Sequence, residues 1–161
     1  VVSLLEASIG IDEEFEKIRL YDLLDKLYQN TMPIAENKKI YLQKKNKLDG
    51  IANIQEERLL RALGNIVQNA IEHTNAGRNV YLEGKMVNGG WQIIVRDEGP
   101  GFSKAALQHA TKRLWRDDTA RAKSNHNGIG LWFALQVVKM HSGQIKLQNY
   151  DCGGLVTIEF K

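Results

Sequence analysis

The chain holds a single cysteine, no apolar run approaching a membrane span, no internal repeat and no low-complexity tract. Each absence removes a class of protein. Cys152 has no second cysteine to pair with, so no internal disulfide holds the fold, which fits a reducing compartment. Beside Gly153 and Gly154 it reads as a turn residue rather than a nucleophile. Without about 20 consecutive apolar residues the segment does not cross a bilayer as a helix, and no signal-peptide pattern opens it. His73, His109, His126 and His141 are scattered and show no metal-ligand spacing. Low hydrophobicity is also missing: 43% hydrophobic and 25% charged residues exclude a disordered chain, and 161 residues suffice for one domain with a substantial core.

What is present is patterned. The net charge of +3 is modest, but Lys104, Lys112, Arg113, Arg116, Arg121 and Lys123 share one stretch, opposed by Glu98, Asp117 and Asp118. Such a stretch attracts polyanions or is simply a solvated loop. Residues 1–10 read as the tail of a helix, 15–19 as a short strand, and 20–37 as a helix with Leu23, Leu24, Leu27, Ile34 and Ala35 at helical spacing. Two strand candidates follow at 39–45 and 51–54. The clearest helix spans 55–74, with Asn53 as its expected cap, Glu56 in the reciprocal position, and Leu59, Leu63, Ile66, Val67 and Ala70 on one face. Strands at 80–87 and 91–97 flank Asn88-Gly89-Gly90, a hairpin signal because these residues tolerate positive φ. Residues 98–127 form roughly thirty residues with one weak helix at 103–110, a length that marks a functional or a disordered loop. A helix at 128–141 and a second hairpin, 144–149 with 155–160, close the chain. Hairpins mixed with long helices predict a two-layer α/β sandwich, helices on one face of a mixed, mainly antiparallel sheet.

Three places carry chemistry. On the helix at 55–74, the spacing of about 100° per residue gathers Asn65, Asn69, Glu72 and His73 on the side away from the apolar face. A solvated polar face is the ordinary explanation. Two asparagines four apart in a helix interior are less ordinary, and neutral amide oxygens suit a hydrated Mg²⁺ that needs few protein ligands. Asp97 ends a strand on the same face as Trp91, Ile93 and Val95, the apolar one. A carboxylate there requires partners: a turn bond to the following Glu98-Gly99-Pro100-Gly101, or an amino group such as adenine N6. Finally, Gly128-Ile129-Gly130-Leu131 opens a helix, where free N–H groups and the dipole favour anions. No Gly-Lys-Ser/Thr follows and no strand precedes, so this is neither a Walker loop nor a Rossmann fingerprint.

Taken in order, these pieces resemble the GHKL ATP-binding superfamily, and within it the sensor histidine kinases. Arg58-Leu59-x-x-Ala62-Leu63-x-Asn65-Ile66-Val67-x-Asn69-Ala70-x-x-His73-Thr74 is similar to the N box, Asp97-Glu98-Gly99-Pro100-Gly101-Phe102 to the G1 box, and Gly128-Ile129-Gly130-Leu131 to the G2 box. The likeness runs from about Leu20 to Phe160. It implies a Bergerat-type ATP-binding fold with a long ATP lid, and protein-histidine kinase activity. It implies that Asn69 ligates Mg²⁺ with Asn65 beside it, that Asp97 binds the adenine amino group in a pocket shaped by Gly99 and Gly101, and that His73 lies near the nucleotide. Gly128, Gly130 and Leu131 would belong to the lid over the triphosphate. Leu114-Trp115-Arg116 is similar to the F box, whose arginine contacts phosphate, with Arg121 a second candidate. Asn65 and Arg116 are then the catalytic positions and ATP and Mg²⁺ the cofactors.

Departures from the pattern are Thr111 and Leu114 for the F-box phenylalanines, His126 for a glycine two before Gly128, and Glu72 where lysine is frequent. The hydrolytic relatives place a glutamate general base four residues before the Mg²⁺ asparagine. Here that position is Asn65, whose amide takes no proton, which favours transfer to a histidine. None of the four histidines has the acidic neighbour and nearby proline of a phosphoacceptor. The acceptor is therefore expected before Val1, with residues 1–12 the end of a dimerisation and phosphoacceptor helix plus linker, and 13–161 the catalytic domain. Expected partners are that helical domain and a response regulator receiver domain, with neither nucleic acid nor membrane touching this segment. The segment should be monomeric and cytoplasmic, within a homodimeric parent anchored in the cell membrane. Two alternatives remain open: a degenerate domain used as a docking surface, and a serine kinase or anti-sigma switch on the same fold.

Overall fold

The computed structural model describes residues 13–109 and 128–161, so the expectations for residues 1–12 and 110–127 lie outside the described residues. In chain order the elements are β1 (Glu16–Arg19), α1 (Leu20–Lys38), β2 (Tyr41–Lys47), β3 (Ile51–Ile54), α2 (Glu56–Glu72), β4 (Asn79–Val87), β5 (Gly90–Asp97), α3 (Lys104–His109), α4 (Gly128–Met140), β6 (Gln144–Tyr150) and β7 (Gly153–Phe160). Strands β2-β4-β5-β7-β6 form one sheet, parallel only between β2 and β4. Strands β1 and β3 pair antiparallel as a separate ribbon. The two-layer sandwich with a mainly antiparallel sheet is thus observed.

Each layer follows from its sequence period. Alternate residues Trp91, Ile93, Val95 and Asp97 of β5 are buried on the helix-facing side. The first three meet Val156 and Ile158 of β7 in one core with Leu23, Leu24 and Leu27 of α1, Leu59, Leu63 and Val67 of α2, and Phe133 and Val137 of α4. The hairpin loop is two residues, Asn88-Gly89, since Gly90 already pairs with Val87. Of that pair only Gly89 adopts positive φ, at 82°.

One expectation is corrected. Asn53 does not cap α2; it pairs with Lys17 in the β1–β3 ribbon. The residue before α2 is Gln55, which makes no side-chain cap bond. Glu13, 44 and 45 residues upstream, does the work instead: its carboxylate accepts the first-turn N–H groups of Glu57 (2.9 Å) and Arg58 (3.0 Å). Its carbonyl also accepts Gln55 Nε2 (2.6 Å), and the Gln55 N–H donates to His141 Nε2 (3.0 Å) just past α4. At the other end Lys38 of α1 donates Nζ to the carbonyls of Ile71 (3.0 Å) and Glu72. An anion at the N-terminus and a cation at the C-terminus both complement the dipole. The helix bearing Asn65 and Asn69, and leading into His73, is therefore fixed at each end by a distant segment.

Candidate functional site

The site is built where α2 ends beside the end of β5. His73 follows α2 with its ring turned back, Nδ1 lying 2.8 Å from the Asn69 carbonyl, and its own carbonyl faces Gly99. A Cβ on Gly99 would stand 2.4 Å from that carbonyl oxygen, so only glycine lets the chain after Asp97 pass so close to α2. Gly101 adopts φ 80°, a second position that favours glycine. Asp97 and His73 thus approach each other through Gly99.

Asp97 is 6% exposed. Its Oδ1 accepts the N–H groups of Gly99 (2.9 Å) and, from the start of β7, Gly154 (3.2 Å). Its Oδ2 has no donor among the described residues. Of the two alternatives raised by the sequence, the turn bond is made; the second carboxylate oxygen is left without a donor among the described residues. Burial raises the carboxyl pKa above its ordinary value, opposed by the two backbone N–H groups and by nearby His73. Pairing Oδ2 with an N–H donor is what such a buried acceptor calls for, and an exocyclic adenine amine supplies one.

Asn65 and Asn69 are half-buried on the side of α2 away from the core, and neither side chain is hydrogen-bonded among the described residues. Among the described residues no three acidic, histidine or cysteine side chains gather as a metal site. That donor set fits an ion retaining most of its waters, such as Mg²⁺, rather than a fully caged one. Gly128 begins α4, Gly130 lies in its first turn, and Leu131 follows, half-buried. Arg116, Arg121, Thr111, Leu114 and His126 lie outside the described residues.

Sequence reasoning missed the β6–β7 side of the site. Besides Gly154, the Tyr150 hydroxyl donates to the Asp97 carbonyl (2.9 Å), and Gly153 packs against that same carbonyl. Asn149 Oδ1 accepts the Phe102 N–H (2.7 Å) while its Nδ2 donates to the Phe102 carbonyl (2.8 Å). These residues follow Asp97 by about fifty positions and no local pattern marks them; only the β5–β7–β6 strand order brings them there.

A helix carrying free amides, a buried acceptor at a strand end and a glycine-opened helix, on a two-layer sandwich, define a nucleotide-binding ATPase domain. The family of histidine kinase-, DNA gyrase B-, and HSP90-like ATPases matches residues 54–161, and the chain belongs to that family. Within it, the chain corresponds to the ATPase domain of sensor histidine kinases. It is 32% identical to the sensor histidine kinase SpaK of Bacillus subtilis over 96% of this chain and 34% of that protein. It is 30% identical to the sensor protein SphS of Synechococcus elongatus over 88% of this chain and 36% of that protein. The chain thus spans about a third of the length of these curated relatives. The fold matches the catalytic domain of histidine kinase ThkA in its nucleotide-free form (TM-score 0.79, 19% identity, 91% of this chain and 95% of that one). It also matches full-length ShkA in complex with AMPPNP (TM-score 0.76, 22% identity, 98% and 34%).

Proposed function

We propose that this domain binds Mg-ATP and transfers the γ-phosphate to a histidine on a helical dimerisation domain outside these 161 residues. The observation that carries the reading is Asp97: a buried carboxylate with one oxygen held by two backbone N–H groups and the other without a donor among the described residues. In this reading Oδ2 accepts the adenine amino group, and Gly99 and Gly101 shape the turn beneath the base. Asn69 holds the Mg²⁺, with Asn65 beside it; the ion, when bound, neutralises charge on the phosphates. Arg116 and Arg121 act on phosphate oxygens as cations that stabilise the transferring group. Asn65 stands where a general base would activate water, and its amide takes no proton, so the bound phosphate is kept for a better nucleophile.

The kinase names of the relatives, and the nucleotide analogue in the ShkA complex, support the same reading for this chain. Residues 1–12 then join the acceptor helices to the domain at 13–161, and the phosphorylated histidine serves a response regulator receiver domain. The same reading makes the parent a homodimer, with this domain monomeric on its own. Among the described residues no helix is long and apolar enough to cross a membrane; in this reading the parent is anchored in the cell membrane, with this domain on the cytoplasmic side.

Calorimetric titration of Mg-ATP into the chain and its Asp97→Asn variant tests the proposal. A hydrogen bond to a buried charged group contributes about 1.5–3 kcal/mol, so the variant should bind roughly 10- to 150-fold more weakly. Absence of binding by the unmodified chain would turn the reading to a docking surface. Label recovered on serine of a target protein, rather than on histidine, would turn it to a serine kinase.

A further inference from the structure

The turn from Asp97 to Phe102 supplies the acceptor proposed for adenine, yet few of its own groups hold it in shape. Within the turn, Gly99 N–H reaches Asp97 Oδ1. On one side β4 restrains the turn, Val80 pairing with Asp97 and Asn79 bonding Glu98; the restraints on the Asp97 carbonyl and on Phe102 come from β6. Asn149 presents its side-chain amide to Phe102 as a neighbouring strand would present its backbone, accepting the N–H at 2.7 Å and donating to the carbonyl at 2.8 Å. A Cβ on Gly101 would stand 2.9 Å from the same Asn149 Oδ1, so the amide lies close along the turn. The next residue, Tyr150, donates its hydroxyl to the Asp97 carbonyl at 2.9 Å, and the guanidinium of Arg96 lies over its ring, 5.8 Å from the centroid. Asn149 and Tyr150 pair in register with Gly154 and Gly153, the two residues against the Asp97 carboxylate and carbonyl. Two adjacent residues of β6 thereby grip both ends of the turn.

We propose that Asn149 and Tyr150 are positioning residues whose hydrogen bonds to Phe102 and to the Asp97 carbonyl hold the turn in the shape that recognises adenine, so that base selectivity is set partly from β6. This rests on the Mg-ATP reading of the site. Neither side chain touches the nucleotide in this scheme; each acts through backbone. Without the clamp the turn samples other shapes in the free domain, and binding has to restore the order first, which costs affinity. The loss falls on ligands that use the Asp97 acceptor. A guanine base presents a carbonyl where adenine presents its amine, so GTP gains little from the clamp and loses little without it.

The test uses Tyr150→Phe, which keeps the ring and removes the hydroxyl alone, together with Asn149→Ala. Affinities for Mg-ATP and Mg-GTP are measured on the 161-residue chain by displacement of a fluorescent ATP analogue, alongside thermal melting. Each variant is expected to bind ATP about threefold to tenfold more weakly, about the worth of one ordinary hydrogen bond, with GTP unchanged. Asn149→Asp, which keeps an acceptor for the Phe102 N–H and loses the donor, should fall between. Unchanged ATP affinity in Tyr150→Phe and Asn149→Ala overturns the inference while leaving the site reading intact. So does an equal loss for ATP and GTP that tracks melting temperature, because that marks general destabilisation. If the unmodified chain itself displaces no analogue with ATP, the site reading has failed and this inference falls with it.

Discussion

His141 is neutral for a geometric reason: its Nδ1 lies 2.8 Å from the Val137 carbonyl, which needs a proton there, while its Nε2 accepts the Gln55 N–H at 3.0 Å, which needs none. Burial lowers its pKa, and Arg58 pushes the same way, against the Val137 carbonyl and the Glu13 carboxylate. Phe15 packs a ring 5.2 Å from the imidazole. With the folded pKa below the ordinary 6.5, the folded chain binds the proton less readily than the unfolded one. The stability this contributes is complete above the ordinary value and is lost as pH falls through the folded pKa. Urea unfolding at pH 7.5 and at successively lower pH should show that loss, and His141→Asn should flatten it. A profile unaltered by the substitution would assign the slope to other groups. At this scale the sequence was only partly legible. Alternation along 91–97 put Asp97 on the core face, and the structure agrees; the donors to its Oδ1 include Gly154, which alternation along one strand does not disclose.

Among the elements, α2 was the most legible by periodicity and the least legible at its ends. Its buried face, from Leu59 through Ala70, follows the 3.6-residue period. Its cap does not follow from the neighbouring letters: Asn53 with Glu56 matches the reciprocal box in sequence, but Asn53 is committed to the ribbon with β1, and the first-turn donors go to Glu13. Two competing demands on one residue were decided by strand pairing. Substituting Glu13→Ala should therefore cost about 1 kcal/mol, the usual loss for an N-terminal cap, read as a lower urea midpoint at constant slope. Asn53→Ala should show no comparable loss on capping grounds. Equal costs would restore the local cap. The glycine-opened helix α4 was legible in the same partial way: its start at Gly128 agrees, whereas the segment before it lies outside the described residues.

For the whole molecule, the sandwich and its mainly antiparallel sheet were legible because hairpin signals and amphipathic helices are local. The strand order was not. That β2 pairs parallel with β4, while β3 joins β1 in a separate ribbon, is a matter of pairing between distant segments that no local pattern marks. The order matters for function, because the proposed site draws on α2, the end of β5 and the residues around the β6–β7 turn, segments distant in sequence that the fold brings into direct contact. A ligand held by all three binds the assembled domain and not its unfolded chain, so it should stabilise global unfolding. At 100 times its dissociation constant, ATP with Mg²⁺ contributes about 2.7 kcal/mol, roughly 5–10 °C in melting temperature for a domain of this size. GTP at the same concentration should shift the midpoint far less, since Asp97 offers its carbonyl no donor. One transition moving as a unit, followed by both far-ultraviolet and tryptophan signals, is the expected record, since Trp91 on β5 and Trp132 on α4 are buried in opposite layers. If ATP moved only one of the two signals, the domain would not unfold as one unit, and a site drawing on several of its elements could not stabilise them together.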